Sequence, residues 1–207
     1  MRHEPPVATE RHHGMEKGRL EAFSDGVVAI LITILVLEFR VPDGSDWSAL
    51  GPVLPTFLSY VLSFAYIAIY WNNHHHMLQL TTRVNGRILW ANLHLLFWLS
   101  LVPFVTAWIA KTHLATAPTA LYGTVLLMAG IAYWILQNAI IAQQGGRAES
   151  PLYAAVKHDI KGKLSVGLYV VGILAALRWP LLAAAVYVAV ALMWIIPDPR
   201  IESRLRD

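Results

Sequence analysis

The stretch RLEAFSDGVVAILITILVLEFRVP, Arg19 to Pro42, decides the class of fold. An arginine, a glutamate and an aspartate lead into a run of aliphatic residues, and about 20 such residues are enough to cross a bilayer as a helix. Between Gly26 and Glu38 the only side-chain hydroxyl belongs to Thr33. The stretch therefore predicts a transmembrane helix whose wall is almost wholly aliphatic.

The composition extends this interpretation to the whole chain. Hydrophobic residues make up 57% of the 207 residues and charged residues only 14%, too few for the surface of a soluble domain of this length. The absence of cysteine excludes disulfides and thiolate metal sites. Residues 1–18 are polar and contain proline and glycine, which predicts a disordered tail without the apolar run of a signal peptide.

The hydrophobic segments predict an all-α integral membrane protein with six transmembrane helices. The predicted spans are 20–39, 51–76, 87–110, 118–142, 162–177 and 180–197. The last two are short, and Pro180 after Arg178 and Trp179 indicates a tight turn between them, so we expect a helical hairpin. Pro103 should kink the third helix. The predicted organisation is a tail at 1–18, a transmembrane domain at 19–198 and a cytoplasmic C-terminal tail at 199–207.

Basic residues are distributed unevenly between the two sides of this topology. An even number of spans puts both termini and the 2–3 and 4–5 loops on one side. That side holds 13 of the 16 basic residues: Arg2, Arg11, Lys17, Arg19, Arg83, Arg87, Arg147, Lys157, Lys161, Lys163, Arg200, Arg204 and Arg206. The positive-inside rule predicts that both termini are cytoplasmic, and the net charge of +3 then requires no nucleic-acid partner.

Two polar clusters lie at the cytoplasmic ends of the first two helices. Arg19 and Asp25 are about 240° apart on a helix, so each should reach another helix or subunit, unless Asp25 only caps a helix and Arg19 only extends to headgroups. His74 and His75 belong to the stretch Tyr70–Gln79, YWNNHHHMLQ. Consecutive histidines lack the i, i+4 spacing of a helical metal site, so we predict no metal.

The sequence carries no catalytic constellation. A nucleophile elbow, an HExxH motif, a Walker loop and paired intramembrane carboxylates are all missing, which predicts that the chain is not an enzyme. The TVGYG filter and an arginine-rich helix are missing too.

The first three helices nevertheless carry a specific set of motifs. Arg19-x-x-x-Phe23-Ser24-Asp25 opens helix one, Tyr70-Trp71-x-x-His74-His75 ends helix two, and Asn92 precedes Pro103-Phe104-x-Thr106 in helix three. In this order they resemble the bacterial branch of the endolysosomal potassium channel family, transmembrane protein 175. Helices four to six match mainly in hydropathy.

The resemblance implies a homotetramer in the bacterial inner (plasma) membrane, with helix one lining a central pore for potassium and, less readily, sodium. It implies no cofactor, K⁺ as the permeant ion, and lipid and monovalent cations as partners. Ile30, Ile34 and Leu37 align with the family's pore constriction, and Thr33 with a hydroxyl that serves selectivity. On an ideal helix these four positions fall within about 100°. The motif network that should tie the helices together comprises Arg19, Phe23, Ser24, Asp25, Trp71, His74, His75 and Asn92.

Two other functions remain open from sequence. A proton-coupled secondary transporter would need ionisable groups or broken helices at the bilayer midplane, where the sequence offers His94 and little else. A non-conducting scaffold would leave ion flux unaffected by Ile30→Asn.

Overall fold

The computed structural model describes residues 8–157 and 159–195, and side chains from residue 17 onward within these ranges. Every regular element in this part of the chain is helical. The α-helices are α1 Ala8–Leu37, α2 Leu54–Gln79, α3 Gly86–Ser100, α4 Val102–Thr112, α5 Thr116–Gln143, α6 Pro151–Val156, α7 Ile160–Ala176 and α8 Pro180–Ile195, with a 3₁₀ helix at Trp47–Val53 before α2.

Four helical stretches are long and apolar enough to cross a membrane: Lys17–Leu37, Trp47–Gln79, Gly86–Thr112 and Thr116–Gln143. They overlap the first four predicted spans. The fifth and sixth predicted spans correspond to α7 and α8, which are shorter and pack against each other as a hairpin. Trp179 N donates to Ala175 O at 2.7 Å in the turn between them. Membrane crossing by α7 and α8 stays a prediction.

The third predicted helix is divided just before Pro103. Helix α3 ends at Ser100, α4 begins at Val102, and Leu101 lies between them. Proline has no N–H to donate and its ring clashes with the preceding turn, so the continuous helical ladder ends there. Pro103 thus interrupts the helix where the sequence predicted its effect, as a division at Leu101.

The N-terminal boundary differs from the prediction. Residues 8–18, expected in a disordered tail, are the first turns of α1. Once the apolar segment has formed a helix, adding residues to its end avoids the cost of nucleation, and glutamate, arginine and lysine at 10, 11, 16 and 17 are good helix formers. Residues 1–7 and the predicted C-terminal tail at 199–207 lie outside the described residues.

Two hydrogen bonds bring three connections to one end of the bundle. Lys17 Nζ donates to Gln79 O at 3.2 Å, and Gln144 Nε2 donates to Leu80 O at 2.6 Å. The entry of span one, the α2–α3 connection and the α5–α6 connection therefore meet. We call this the basic end; its described basic residues are Lys17, Arg19, Arg83, Arg87, Arg147, Lys157, Lys161 and Lys163.

A directional chain of buried hydroxyls joins α2, α4 and α5. Thr106 Oγ1 donates to Val102 O at 2.6 Å, so its oxygen accepts from Ser63 Oγ, also at 2.6 Å. Ser63 in turn accepts from Tyr122 Oη at 2.9 Å. Each hydroxyl has a partner, as burial in an apolar bundle requires.

Helices α5, α7 and α8 pack closely around Tyr187. Gly123 on α5 and Gly172 on α7 face this ring, and a Cβ at either position would overlap it. The Tyr187 backbone oxygen accepts from Tyr66 Oη at 2.6 Å, which attaches α8 to α2. Small residues that let helices approach are the usual means of packing in lipid.

Candidate pore-lining helix

Helix α1 has one face that packs inside the subunit. Its buried residues recur every three or four positions: Leu20, Ser24, Val28, Leu31 and Leu35. This spacing is one stripe of an α-helix. The stripe packs against α2, α3 and α4, so these helices fix the rotation of α1 about its axis.

The predicted constriction residues lie on a different, exposed face. Ile30 is 58% exposed, Ile34 38% and Leu37 78%, while Leu31 and Leu35 are buried. The centre of the buried stripe is about 120° from Ile30 around the helix axis. A single subunit therefore leaves the aliphatic face of α1 uncovered, for lipid or for further copies of the chain.

Thr33 is exposed on the same side of α1. Its Oγ1 donates to Ile30 O at 2.8 Å within the helix. Because the hydroxyl proton is used in that bond, the oxygen lone pairs remain to accept a hydrogen bond or contact a cation.

A buried hydrogen-bond network anchors the entry of α1 to α2 and α3. Ser24 Oγ donates to Leu20 O at 2.8 Å and accepts from Asn92 Nδ2 at 2.9 Å. Asn92 Oδ1 lies 2.7 Å from His74 Nε2. An amide oxygen only accepts, so this geometry assigns the proton to Nε2 of His74.

A second contact, at the surface of the subunit, links Asp25 to α2. Trp71 Nε1 donates to Asp25 Oδ1 at 2.9 Å. The indole stacks on the His75 ring, with centroids 5.9 Å apart and planes 19° apart. Gln79 Nε2 lies 2.9 Å from His75 Nε2, which therefore acts as the acceptor. Asp25 and His75 thus meet through Trp71.

The remaining motif residues, Arg19 and Phe23, lie elsewhere. Both are exposed, and helical geometry places them on the side of Ile30 rather than with Asp25. The structure thus brings Ser24, His74 and Asn92 into one group, and leaves Arg19 and Phe23 at the entry of the exposed face.

Sequence reasoning missed the partners that complete these contacts. Gln79 bonds His75 through its side chain and Lys17 through its backbone oxygen, and Gln144 joins the α2–α3 connection. The only available signal was the position of Gln79 in the polar end of helix two.

Of the three adjacent histidines, His75 and His76 lie together, with ring centroids 5.8 Å apart and Gln79 as a common partner, whereas His74 has other neighbours. His74 faces Asn92 and His75 faces Trp71, while His76 Nδ1 is 3.5 Å from Gln79 Oε1. Across the described residues, no three His, Cys, Asp or Glu side chains come together as metal ligands would.

The fold and this site define a class, that of a helical membrane protein with several spans. Its first helix is hydrogen-bonded to α2 and α3 at the basic end and exposes an aliphatic face that carries one hydroxyl. Comparison with known proteins makes the class specific. The sequence model described as endosomal/lysosomal potassium channel TMEM175 matches residues 19–103, the region of the three motifs.

Bacterial relatives agree with this match. A protein named potassium channel from Chryseobacterium sp. (strain P1-3) is 54% identical over 93% of this chain and 100% of its own. Another from Streptomyces collinus is 39% identical over 130 residues, 58% of this chain and 63% of its own.

A solved structure shares the fold. The crystal structure of a lysosomal potassium-selective channel TMEM175 homolog from Chamaesiphon minutus matches with a TM-score of 0.72 and 29% identity, over 88% of this chain and 97% of that one. This chain therefore belongs to the TMEM175 family, which confirms the resemblance seen in the motifs. The family is one of ion channels and not a class of enzymes.

Proposed function

We propose that this chain is a potassium-permeable cation channel with a modest preference for K⁺ over Na⁺. In the proposed assembly four copies place α1 around a central pore, and Ile30, Ile34 and Leu37 form its constriction. The names of the bacterial relatives support potassium as the permeant ion. The exposed aliphatic face of α1, about 120° from the packed face, is the structural observation that carries the proposal.

The constriction would close the pore by dewetting. Rings of aliphatic side chains from four copies leave little room for water, and a cation without its hydration shell meets a large barrier. From Ile30 to Leu37 the axial rise is about 10 Å, so the dry segment would be longer than one ring. Rotation or retraction of the helices, with α1 moving together with those packed against it, would widen the ring and admit hydrated ions.

Selectivity would depend on Thr33. Its oxygen has lone pairs free, since its proton is donated to Ile30 O. At a narrow ring, this oxygen can replace one water of a partly dehydrated cation. One hydroxyl per subunit gives fewer ligands than a carbonyl filter, so a modest preference is expected. No resident cofactor is needed.

The motif network would hold α1 in register while the pore changes width. Ser24, Asn92 and His74 attach it to α3 and α2, and Asp25 attaches it to Trp71. His75 supports that tryptophan, and Arg19 and Phe23 would stand at the pore mouth.

The proposed topology has six membrane crossings, with α7 and α8 as the last two. The basic end would face the cytoplasm, together with both termini, in the bacterial inner membrane. The eight described basic residues there, against Arg40, Lys111 and Arg178 at the opposite end, support this orientation.

Ion flux from liposomes tests the function. Wild type, Ile30→Asn and a control, Val36→Asn, are compared with a potassium gradient and a sodium gradient. Val36 is also exposed on α1, at 49%, but lies about 120° from Ile30. We expect Ile30→Asn to raise flux and lower the K⁺ preference, and Val36→Asn to behave like wild type.

Three results would contradict the proposal. One is absence of flux from a stable oligomer, and another is an equal effect of both substitutions. A flux that requires a proton gradient would instead favour the transporter. The oligomer is counted separately by native mass spectrometry, where any stoichiometry other than four overturns the tetramer.

A further inference from the structure

We propose that a cavity at the basic end, between α2, α5, α6 and α7, holds one anionic phospholipid of the adjacent leaflet, with an acyl chain inside and the phosphate at the rim. The inference goes beyond channel function. It uses the membrane placement proposed above and makes no use of the pore.

The cavity has the size and wall of a ligand site. Its volume is about 670 Å³, within the range of small-molecule pockets. Tyr66, Tyr70, Tyr133 and Tyr169 provide aromatic walls at depth, with Gly130 between them. Such walls favour an apolar occupant with a few polar contacts.

The length of the cavity matches one leaflet. Its wall on α5 extends from Gly130 to Ile141, a span of twelve residues, which is about 16 Å of helix axis. The hydrocarbon core of a bilayer is about 30 Å thick, so each leaflet contributes about half. The cavity therefore reaches from the basic end to the middle of the membrane, as an acyl chain does.

Two polar donors in the wall are already bonded within the protein. Tyr133 Oη donates to Asn73 O at 3.2 Å, and Trp194 Nε1 donates to Ser165 Oγ at 2.8 Å. Because these donors need no water, an acyl chain can lie against them without leaving them unpaired. Trp134, 61% exposed, and Val166, 40% exposed, line the side through which a lipid could enter.

The rim carries the charge that an anionic headgroup requires. Arg147, Lys157 and Lys163 line it, against one carboxylate, Asp159. That carboxylate accepts from Gly162 N at 2.8 Å as the N-cap of α7. The Arg147 guanidinium lies over the Tyr153 ring, 5.6 Å from its centroid, which holds the cation at the rim. Basic pockets between helices on the cytoplasmic side are the usual form of anionic lipid sites.

The rim and the deep aromatic part together distinguish the possible occupants. A free phosphate would use the rim and leave the deep aromatic part empty. A phospholipid uses both.

Native mass spectrometry of detergent-solubilised protein tests the site by counting bound phosphatidylglycerol and phosphatidylcholine at equal concentration. Lys157→Gln/Lys163→Gln removes rim charge. Arg83→Gln/Arg87→Gln removes the same charge from exposed positions at the same end, outside the cavity. Gly130→Leu fills the deep part; a Cβ there stands 3.6 Å from Tyr70 Oη, an ordinary contact.

We expect at least tenfold more phosphatidylglycerol than phosphatidylcholine on wild type and on the arginine control. The lysine variant should lose this preference, and Gly130→Leu should lose the lipid while keeping its helical circular dichroism. Equal retention of both lipids, equal losses in the two charge variants, or displacement by millimolar glycerol phosphate would overturn the proposal. Ion flux is not the readout, so a failed channel assay leaves this result interpretable.

Discussion

The Asn92 side chain donates a 2.9 Å hydrogen bond to Ser24 Oγ, and both residues are buried. The bond crosses from α3 to α1 at the basic end. Because Asn92 Oδ1 also accepts a hydrogen bond from His74 Nε2, one amide side chain bonds polar groups of two other helices. The stability of the α1 attachment should therefore depend on this one side chain.

Asn92→Leu should lower the free energy of unfolding by about 1–3 kcal/mol, because it leaves the buried Nε2–H of His74 without an acceptor and removes the donor to Ser24 Oγ. Unfolding in mixed micelles measures it. The control is Asn138→Leu, since Asn138 Nδ2 bonds only the Trp134 oxygen of its own helix in the contacts described. Similar losses in the two variants would show that the network contributes no more than an ordinary amide.

The Asp25–Trp71 contact should appear as a coupling energy. In a double-mutant cycle with Asp25→Ala and Trp71→Phe, we expect about 0.5–1 kcal/mol, at the low end of contacting pairs because the bond is exposed. Asp25→Asn keeps an acceptor oxygen and should retain most of the coupling. Additive effects of the two substitutions would mean that the contact does not stabilise α1.

Thr33→Val should reduce ionic selectivity with little change in stability. The substitution keeps the shape and removes the oxygen, so we expect the K⁺/Na⁺ permeability ratio to fall about five- to tenfold at most, corresponding to about 1 kcal/mol. Reversal potentials in planar bilayers measure the ratio. Thr33→Ser should restore it.

The matched control for this test is Thr124→Val. Thr124 also donates to a carbonyl of its own helix, that of Ala120, but it lies on α5. An unchanged K⁺/Na⁺ permeability ratio in Thr33→Val, or the same fall in Thr124→Val, would show that the Thr33 hydroxyl does not determine selectivity.

Gly172→Ala should destabilise the α7–α8 hairpin by about 1–3 kcal/mol, the usual cost of overpacking. Its Cβ would overlap Cε1 of Tyr187, whereas the Gly123 Cβ would overlap the hydroxyl end of the same ring. Tyr187→Phe should therefore reduce the loss of stability caused by Gly123→Ala more than the loss caused by Gly172→Ala. Thermal unfolding in detergent measures both.

Gly167→Ala, on the same helix, provides the comparison. Nothing lies within 4 Å of a Cβ there, so alanine should be neutral or slightly stabilising. If all three alanine variants unfold alike, the close approach around Tyr187 is not what holds the hairpin.

The sequence predicted those features that arise from local composition. Apolar runs located the four long spans, and Pro103 located the break between α3 and α4, because both effects act within a few residues. It did not predict the start of α1, since Ala8–Gly18 is helical only as a continuation of an apolar helix.

Partners were harder to predict than elements. Ser24, Asn92 and His74 were expected to join helices, but the order of their bonds depends on the rotation of three helices at once. Ser63 gave no sign of meeting Thr106 or Tyr122, because 43 and 59 residues separate it from these partners along the chain. Periodicity in the sequence identifies the buried face of a helix, but it does not identify the residues of other helices that pack against that face.

The length of α1 has a mechanical consequence. Its 30 residues extend about 45 Å, some 15 Å more than the hydrocarbon core needs, and no proline interrupts them. The helix is therefore long enough to extend beyond one face of a bilayer. In the proposed channel, a force applied near Ala8 would act on the same continuous helix that carries Ile30, and α1 would transmit it together with the helices packed against it.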